Sequence, residues 1–475
     1  MRQGRRIVAA FFAALLCLSV VIPVMPAAAE ELEQTEELTR EEKKERKRLK
    51  KLYKLPVQTN ELTGWAKGPG TYGEAAILME VETGAILYAK NIDAHYYPAS
   101  ITKILTTLIA LENGQMEDKV TFSEDSLSFL EPGDAYIGMK AGNVISLEQA
   151  LYAVLLASAN EVSYAVSESV GKNKGYDYDW FINQMNVRCQ ELGGKNSHFV
   201  NANGLHDDDH YTCARDMALI ARELFKYPKA FEIMQTLQYK IKKSKTTEKH
   251  IFQQNHKMLY EDNDFYYEYV IGGKTGFTDQ AHNTLVTMID NGEMKLVCVL
   301  MKSEGVNVYT DTKALCEYAF SNFKKVPVSG SETSGDIAEI LPQEEGGFVV
   351  LPEGVGFEKL DREIVPDEGT SGEAELSYTY EGNYVGGARA RLSADYGKEE
   401  EAEPEPEKEI SGGEKKSIDA RTVDENSGED EISGVLKKIG TRKIALAAAV
   451  IVLIALIFAL LEYILLMRKK KHRRR

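Results

Sequence analysis

The sequence predicts an α+β fold: one antiparallel sheet interrupted by a long helical insertion, then a small all-β region and a C-terminal apolar helix. Three observations carry this. Strand-like stretches Ala75–Val81 and Ala85–Ala89 flank Glu82-Thr83-Gly84, a hairpin signature near the start. Residues 115–260 are mostly helical in pattern. Three strands then follow, the last two flanking Asp290-Asn291-Gly292, and the helix Asp311–Phe323 closes the region. Strands early and late with helices between them imply one sheet holding a helical insertion.

Taken in order, the N-terminus reads as a secretory signal over residues 1–29. Arg2, Arg5 and Arg6 precede the apolar run Ile7–Val24, and Ala27-Ala28-Ala29 offers a cleavage site before Glu30. An uncleaved anchor is the alternative, and Cys17 lacks the small residues that a lipid-attached cysteine would follow. Residues 30–65 form a charged spacer, acidic then basic, read as solvated and partly helical, with contact to an anionic wall polymer as the alternative. The main domain spans 66–325.

Within it, Ile101, Ile104, Leu105 and Leu108 fall at helical spacing, behind the extended lead-in of Pro98 and ahead of the stop Glu112-Asn113-Gly114. Ser146-Leu147-Glu148-Gln149 is a capping box, and Leu147, Leu151, Val154 and Leu155 continue a buried stripe on which Ser158 falls. His198–Arg222 reads as a polar loop entering a helix. Its run Asp207-Asp208-Asp209-His210 has no ligand spacing and reads as solvated. Tyr266–Ile271 leads as a strand into Gly272-Gly273-Lys274-Thr275-Gly276.

Residues 326–396 carry short strands (Gly347–Leu351, Ala374–Tyr380, Ala388–Ala394) and no helical period, which predicts a small all-β domain. Residues 397–441 are acidic, Pro- and Gly-rich, hence a disordered linker reaching about 35–40 Å on average. Residues 442–467 contain the uninterrupted apolar run Ile444–Leu461, enough to span a bilayer. The basic tail 468–475 places that end in the cytoplasm and the rest outside.

A net charge of −16 argues against a nucleic-acid binder, although much of it lies in the linker. Cys189, Cys213, Cys298 and Cys316 are scattered without any C-x-x-C, which predicts free, buried thiols and neither a metal site nor a disulfide framework.

The chemistry gathers at three places. Ser100 and Lys103, three residues apart at a helix start, put a hydroxyl beside an amine. Ser158-Ala159-Asn160 follows a buried helix and reads either as a cap or as a site. Lys274-Thr275-Gly276 lies on a strand. In that order and on those elements, the set Ser-x-x-Lys, Ser-x-Asn and Lys-Thr-Gly resembles that of the low-molecular-weight penicillin-binding D-alanyl-D-alanine carboxypeptidases, as do Asn203-Gly204-Leu205…His210-Tyr211-Thr212-Cys213-Ala214-Arg215-Asp216 and Lys274-Thr275-Gly276-Phe277-Thr278.

The resemblance implies a β-lactamase/transpeptidase-like domain and catalysis through an acyl-enzyme on Ser100. Lys103 would be the base and Ser158 a proton relay. Asn160 would hold the substrate amide, and Lys274 and Thr275 the terminal carboxylate. Gly276 would let the acyl chain lie against the strand, and the N–H groups of Ser100 and Phe277 would form the oxyanion hole. It implies a peptidoglycan stem peptide ending in D-Ala-D-Ala as substrate, β-lactams as covalent inhibitors, attachment to the cell membrane, no nucleic acid, and no metal or organic cofactor. Relatives often carry an arginine before the last helix. Here 303–312 has none, and Lys302 is the nearest cation.

Three other functions use related groups. A class A β-lactamase would add a glutamate in an E-x-x-L-N segment, which the sequence lacks. A β-lactam sensor would need a cytoplasmic output domain larger than 468–475. An endopeptidase or transpeptidase differs only in the bond cleaved or the acceptor.

Overall fold

A computed structural model describes residues 39–342, 347–367, 369 and 372–397. They lie in the first of two compact units, Met1–Lys398 and Glu399–Arg475. The signal, the acidic linker, the apolar run and the basic tail lie outside the described residues. Among those described, no helix is long and apolar enough to cross a membrane.

The chain enters through helix α1 (Arg40–Tyr53), opened by a Thr39/Glu42 capping box. The segment read as a solvated spacer is only partly so. The last turn buries Leu52, Arg48 bonds Glu45 at 2.8 Å and pairs with Glu304, and Trp65 is buried with its indole N–H on the Leu87 carbonyl at 3.1 Å. Strands β1 (Ala75–Glu80) and β2 (Ile86–Lys90) form the expected hairpin.

The insertion carries helices α2 (Thr102–Asn113), α3 (Asp125–Ser128), α4 (Leu147–Leu156), α5 (Asn160–Asn173), α6 (Tyr178–Glu191), α7 (Ala214–Glu223) and α8 (Pro228–Met234). It also holds two small hairpins that the helical reading missed: β3 (Lys119–Thr121) with β4 (Val144–Ser146), and β5 (Gln238–Ile241) with β6 (His250–Gln253). Strands β7 (Val270–Thr278), β8 (His282–Asp290) and β9 (Lys295–Ser303) and helix α9 (Asn307–Asn322) complete this part.

Strands β1, β2, β7, β8 and β9 form one antiparallel sheet in the order β2-β1-β9-β8-β7, so β7 is an edge. Both faces are covered, which explains why β1 is apolar from Ala75 to Met79 instead of alternating. Ala75, Ile77 and Met79 face the core shared with α2, α4 and α5, while Ala76 and Leu78 face the one shared with α9.

A second antiparallel sheet follows. It joins β10 (Phe323–Pro327), β12 (Phe348–Pro352), β15 (Asn383–Leu392), β14 (Glu373–Tyr380) and β13 (Asp361–Pro366) in that order, and β11 (Ile337–Ile340) pairs with the 390–392 end of β15. Val349–Leu351, Leu376 and Val385 from this sheet enter the α9-side core. All four described cysteines are free and buried.

Candidate active site

Ser100 sits in a single 3-10 turn (Ala99–Ile101) that runs straight into α2. Ile101, Ile104, Leu105 and Leu108 are fully buried, so the stripe fixes the helix and turns the 100/103 face toward the β7 edge. Ala99, just before the serine, adopts φ 51°, a region costly for a residue with a Cβ. Neighbours hold it there. Gly204 (φ 80°) presses on it so closely that a Cβ would stand 1.9 Å from the Ala99 oxygen. Thr284 Oγ1 donates to the Pro98 carbonyl at 2.8 Å.

The Lys103 ammonium group is wholly buried, with Ser100 Oγ at 2.9 Å, Asn160 Oδ1 at 2.8 Å and the Asn203 carbonyl at 2.5 Å. Burial, and then the charge of Lys274, hold it well below the usual lysine range. The partners explain what a neutral amine does here. Asn203 O and Asn160 Oδ1 can only accept, so they take the two N–H groups of the free amine. Its lone pair is left for the one partner with a proton to give, the Ser100 hydroxyl.

Ser158 does not continue the α4 stripe as its spacing suggested. The helix ends at Leu156, and Ser158 stands in the turn between α4 and α5 at φ 60°, still buried. Asn160 opens α5, with its backbone N–H on the Ala135 carbonyl at 2.8 Å. Next to it, buried Glu161 accepts from Ile137 N at 2.8 Å and is pushed up by desolvation. These two contacts tie the 131–143 loop to the site.

On β7, Lys274 is buried and donates to the Thr275 carbonyl at 2.8 Å, and burial lowers its pKa to about 7. Gly276 packs against the Ser100 turn, where a Cβ would meet Thr284 Oγ1 at 2.3 Å and Ser100 N at 2.9 Å. The protein's own backbone thus requires this glycine, before any acyl chain does. The Phe277 side chain is exposed. Lys302, the nearest cation in the sequence, pairs with Glu74 at 3.2 Å and lies 5.9 Å from the Tyr96 ring centre.

The solvated reading of the 207–210 run is wrong at its end. Asp207, Asp208 and Asp209 are exposed, but His210 is buried and burial drives its pKa down to about 3. Its Nδ1 accepts from Val200 N at 3.1 Å, which leaves Nε2–H to donate to Thr102 Oγ1 at 2.9 Å, and Thr102 donates to Ala99 O. Sequence reasoning also missed the Asn203 carbonyl, for which no side chain is a signal, and His256, buried near Lys274 with Nε2 3.0 Å from Thr287 Oγ1.

The family model for peptidase S11, D-alanyl-D-alanine carboxypeptidase, matches residues 65–305, about half of the chain. The chain belongs to this D-alanyl-D-alanine carboxypeptidase family. Relatives include the D-alanyl-D-alanine carboxypeptidase DacF of Bacillus subtilis, 32% identical over 281 residues covering 57% of this chain and 66% of that protein. The DacA carboxypeptidase of Escherichia coli is 30% identical over 54% of this chain and 63% of its own length. The matches thus span about two thirds of these family members. Among solved structures, penicillin-binding protein 5 from Haemophilus influenzae shares the fold at a TM-score of 0.54 and 24% identity, covering 69% of this chain and 98% of that one.

Proposed function

We propose that this family member is a serine D-Ala-D-Ala carboxypeptidase that removes the terminal D-alanine from peptidoglycan stem pentapeptides, and that penicillin inhibits it by acylating the same serine. The observation that carries this is the buried Lys103 amine, set between two pure acceptors and the Ser100 hydroxyl.

In this reading Ser100 Oγ attacks the carbonyl of the penultimate D-alanine while Lys103 takes the hydroxyl proton. The N–H groups of Ser100 and Phe277 stabilise the oxyanion. Ser158 passes the proton to the departing D-alanine nitrogen. Asn160 aligns Lys103 and holds the substrate amide, and Lys274 with Thr275 grips the carboxylate. Water then cleaves the acyl ester and restores Ser100.

The same reading places the enzyme outside the cell. Residues 1–29 would direct export and 442–467 would tether the chain to the membrane, with 468–475 in the cytoplasm. Residues 326–396 would form a small all-β domain between catalytic domain and linker. Sequence pattern supports these assignments.

Mass spectrometry of the full chain in detergent with a pentapeptide and with penicillin tests the activity. Loss of one alanine, and a slowly released adduct on Ser100 that Ser100→Ala lacks, support it. Fast penicillin turnover with no alanine released overturns it in favour of a β-lactamase.

A further inference from the structure

Helix α1 carries charge that the proposed reaction does not use. From Arg40 to Lys54 the chain holds nine Lys and Arg against three Glu, in a protein whose net charge is −16. Two of those acids are engaged within the helix, Glu42 on the Thr39 N–H at 2.6 Å and Glu45 on Arg48. Lys43, Lys44, Lys47, Lys50, Lys51 and Lys54 are exposed and recur every three or four residues, so they stand on one face. Among the described residues, no carboxylate pairs with any of the six, and the ion pairs of this helix belong to Arg48.

Contacts from the rest of α1 fix it to the protein. Leu52 is buried, the Tyr53 and Tyr72 ring centres lie 5.0 Å apart, and Arg48 pairs with Glu304, which also meets His282 Nδ1 at 2.8 Å. His282 begins β8, so the helix is moored to the sheet that carries Lys274. Like charges at this spacing weaken a helix, and the Thr39 cap and these contacts hold it against that repulsion.

The form of the lysine face selects its partner. It runs about 21 Å along the helix, a row of charges suited to a chain of anions and not to a single ion. It bears no apolar side chain, and Leu52 on the other side is buried in the protein, so nothing is left to enter a bilayer as an interfacial helix does. Lysine ammonium groups meet phosphate as point charges, without the fixed fork of arginine, which suits a polymer whose phosphates are not held in a rigid array.

We propose that the lysine face of α1 binds a flexible phosphodiester polymer of the poly(glycerol phosphate) type, and so holds the folded domain against an anionic matrix. The assignment does not depend on the chemistry at Ser100.

The test is fluorescence anisotropy of labelled poly(glycerol phosphate) titrated with the full chain in non-ionic detergent. Each lysine is expected to add about threefold to affinity, so the combined Lys44→Gln, Lys47→Gln and Lys51→Gln variant should bind about thirtyfold more weakly. Raising salt from about 50 to about 200 mM should weaken the parent about tenfold. A matched variant, Lys240→Gln, Lys242→Gln and Lys245→Gln on the β5–β6 hairpin, removes the same charge from another exposed place and should bind as the parent does. Lysine acetylation of the parent in phosphatidylcholine nanodiscs, read by mass spectrometry, needs no variant to fold. There the polymer should protect the α1 lysines and leave Lys240, Lys242 and Lys245 reactive. No salt-dependent binding by the parent, equal weakening in both variants, or equal protection of both sets of lysines overturns the proposal. Protection of the α1 lysines in phosphatidylglycerol nanodiscs before any polymer is added also overturns it, in favour of a bilayer surface.

Discussion

Gly276 and Ser100 are packed so closely that a methyl group on the glycine would stand 2.9 Å from the serine nitrogen and 2.3 Å from Thr284 Oγ1. The edge strand and the Ser100 turn therefore define each other's position. Gly276→Ala should push β7 away from Ser100 and widen the proposed oxyanion hole. The expected result is a loss of roughly a hundredfold in penicillin acylation rate, since ångström-scale misplacement costs about that much. A rate within threefold of the parent would show that the two elements do not need this contact.

In the proposed mechanism Lys103 is the base, and it can act as one only without its proton. Lys103→Arg keeps a cation in the pocket but can never deprotonate, so it should lower kcat about 10²–10⁴-fold. Stopped-flow acylation measures this, and comparable acylation by the arginine variant would assign the proton transfer elsewhere.

Two lysines with opposite needs predict a bell-shaped pH profile. Lys103 must be neutral, so kcat/KM should rise as pH climbs through its depressed pKa. Lys274, in its proposed role, must be charged to hold a carboxylate, so kcat/KM should fall as pH passes about 7. A bound carboxylate raises Lys274, and the alkaline limb of kcat should therefore lie above that of kcat/KM. Lys274→Arg stays charged and should lose the alkaline limb. If that limb persists unchanged, Lys274 is not its source.

His210 is held neutral at a pKa of about 3, against an ordinary 6.5. Between those values the unfolded chain binds the extra proton, so stability rises with pH across the window, is complete above 6.5 and is lost on acidification. Each such histidine contributes a slope of about 1.4 kcal/mol per pH unit. His256, also near 3, adds its own. Urea denaturation between pH 6.5 and 5 should show a shallower slope in His210→Gln. An identical slope would mean that His210 takes up its proton in the fold as readily as out of it.

What the sequence disclosed is what short-range chemistry encodes. The Ser146/Gln149 capping box closes within one turn, and the β8–β9 hairpin closes over the four residues 291–294. The candidate site was legible as far as Ser100, Lys103 and Asn160, which the structure brings together, because the proposed chemistry demands particular residue types there. The contacts that tune it were not. Asn160 and Asn203 reach Lys103 from 57 and 100 residues away, the second through a backbone oxygen that any residue would supply. His210 was hidden by the acids beside it, and its burial rests on partners away from that run, Val200 N and Thr102 Oγ1. Ser158 left its helical stripe because Asn160 must start a new helix.

Lys90 links the beginning of the described chain to its centre. Buried in β2, it donates to the Leu52 carbonyl at the end of α1 at 2.9 Å and to the Thr71 carbonyl at 2.7 Å. Trimming from the N-terminus past Leu52 would leave that cation short of one acceptor in a dry interior. Limited proteolysis should therefore stop short of Leu52, and the smallest durable fragment begins with α1, ahead of Trp65 where the family match starts.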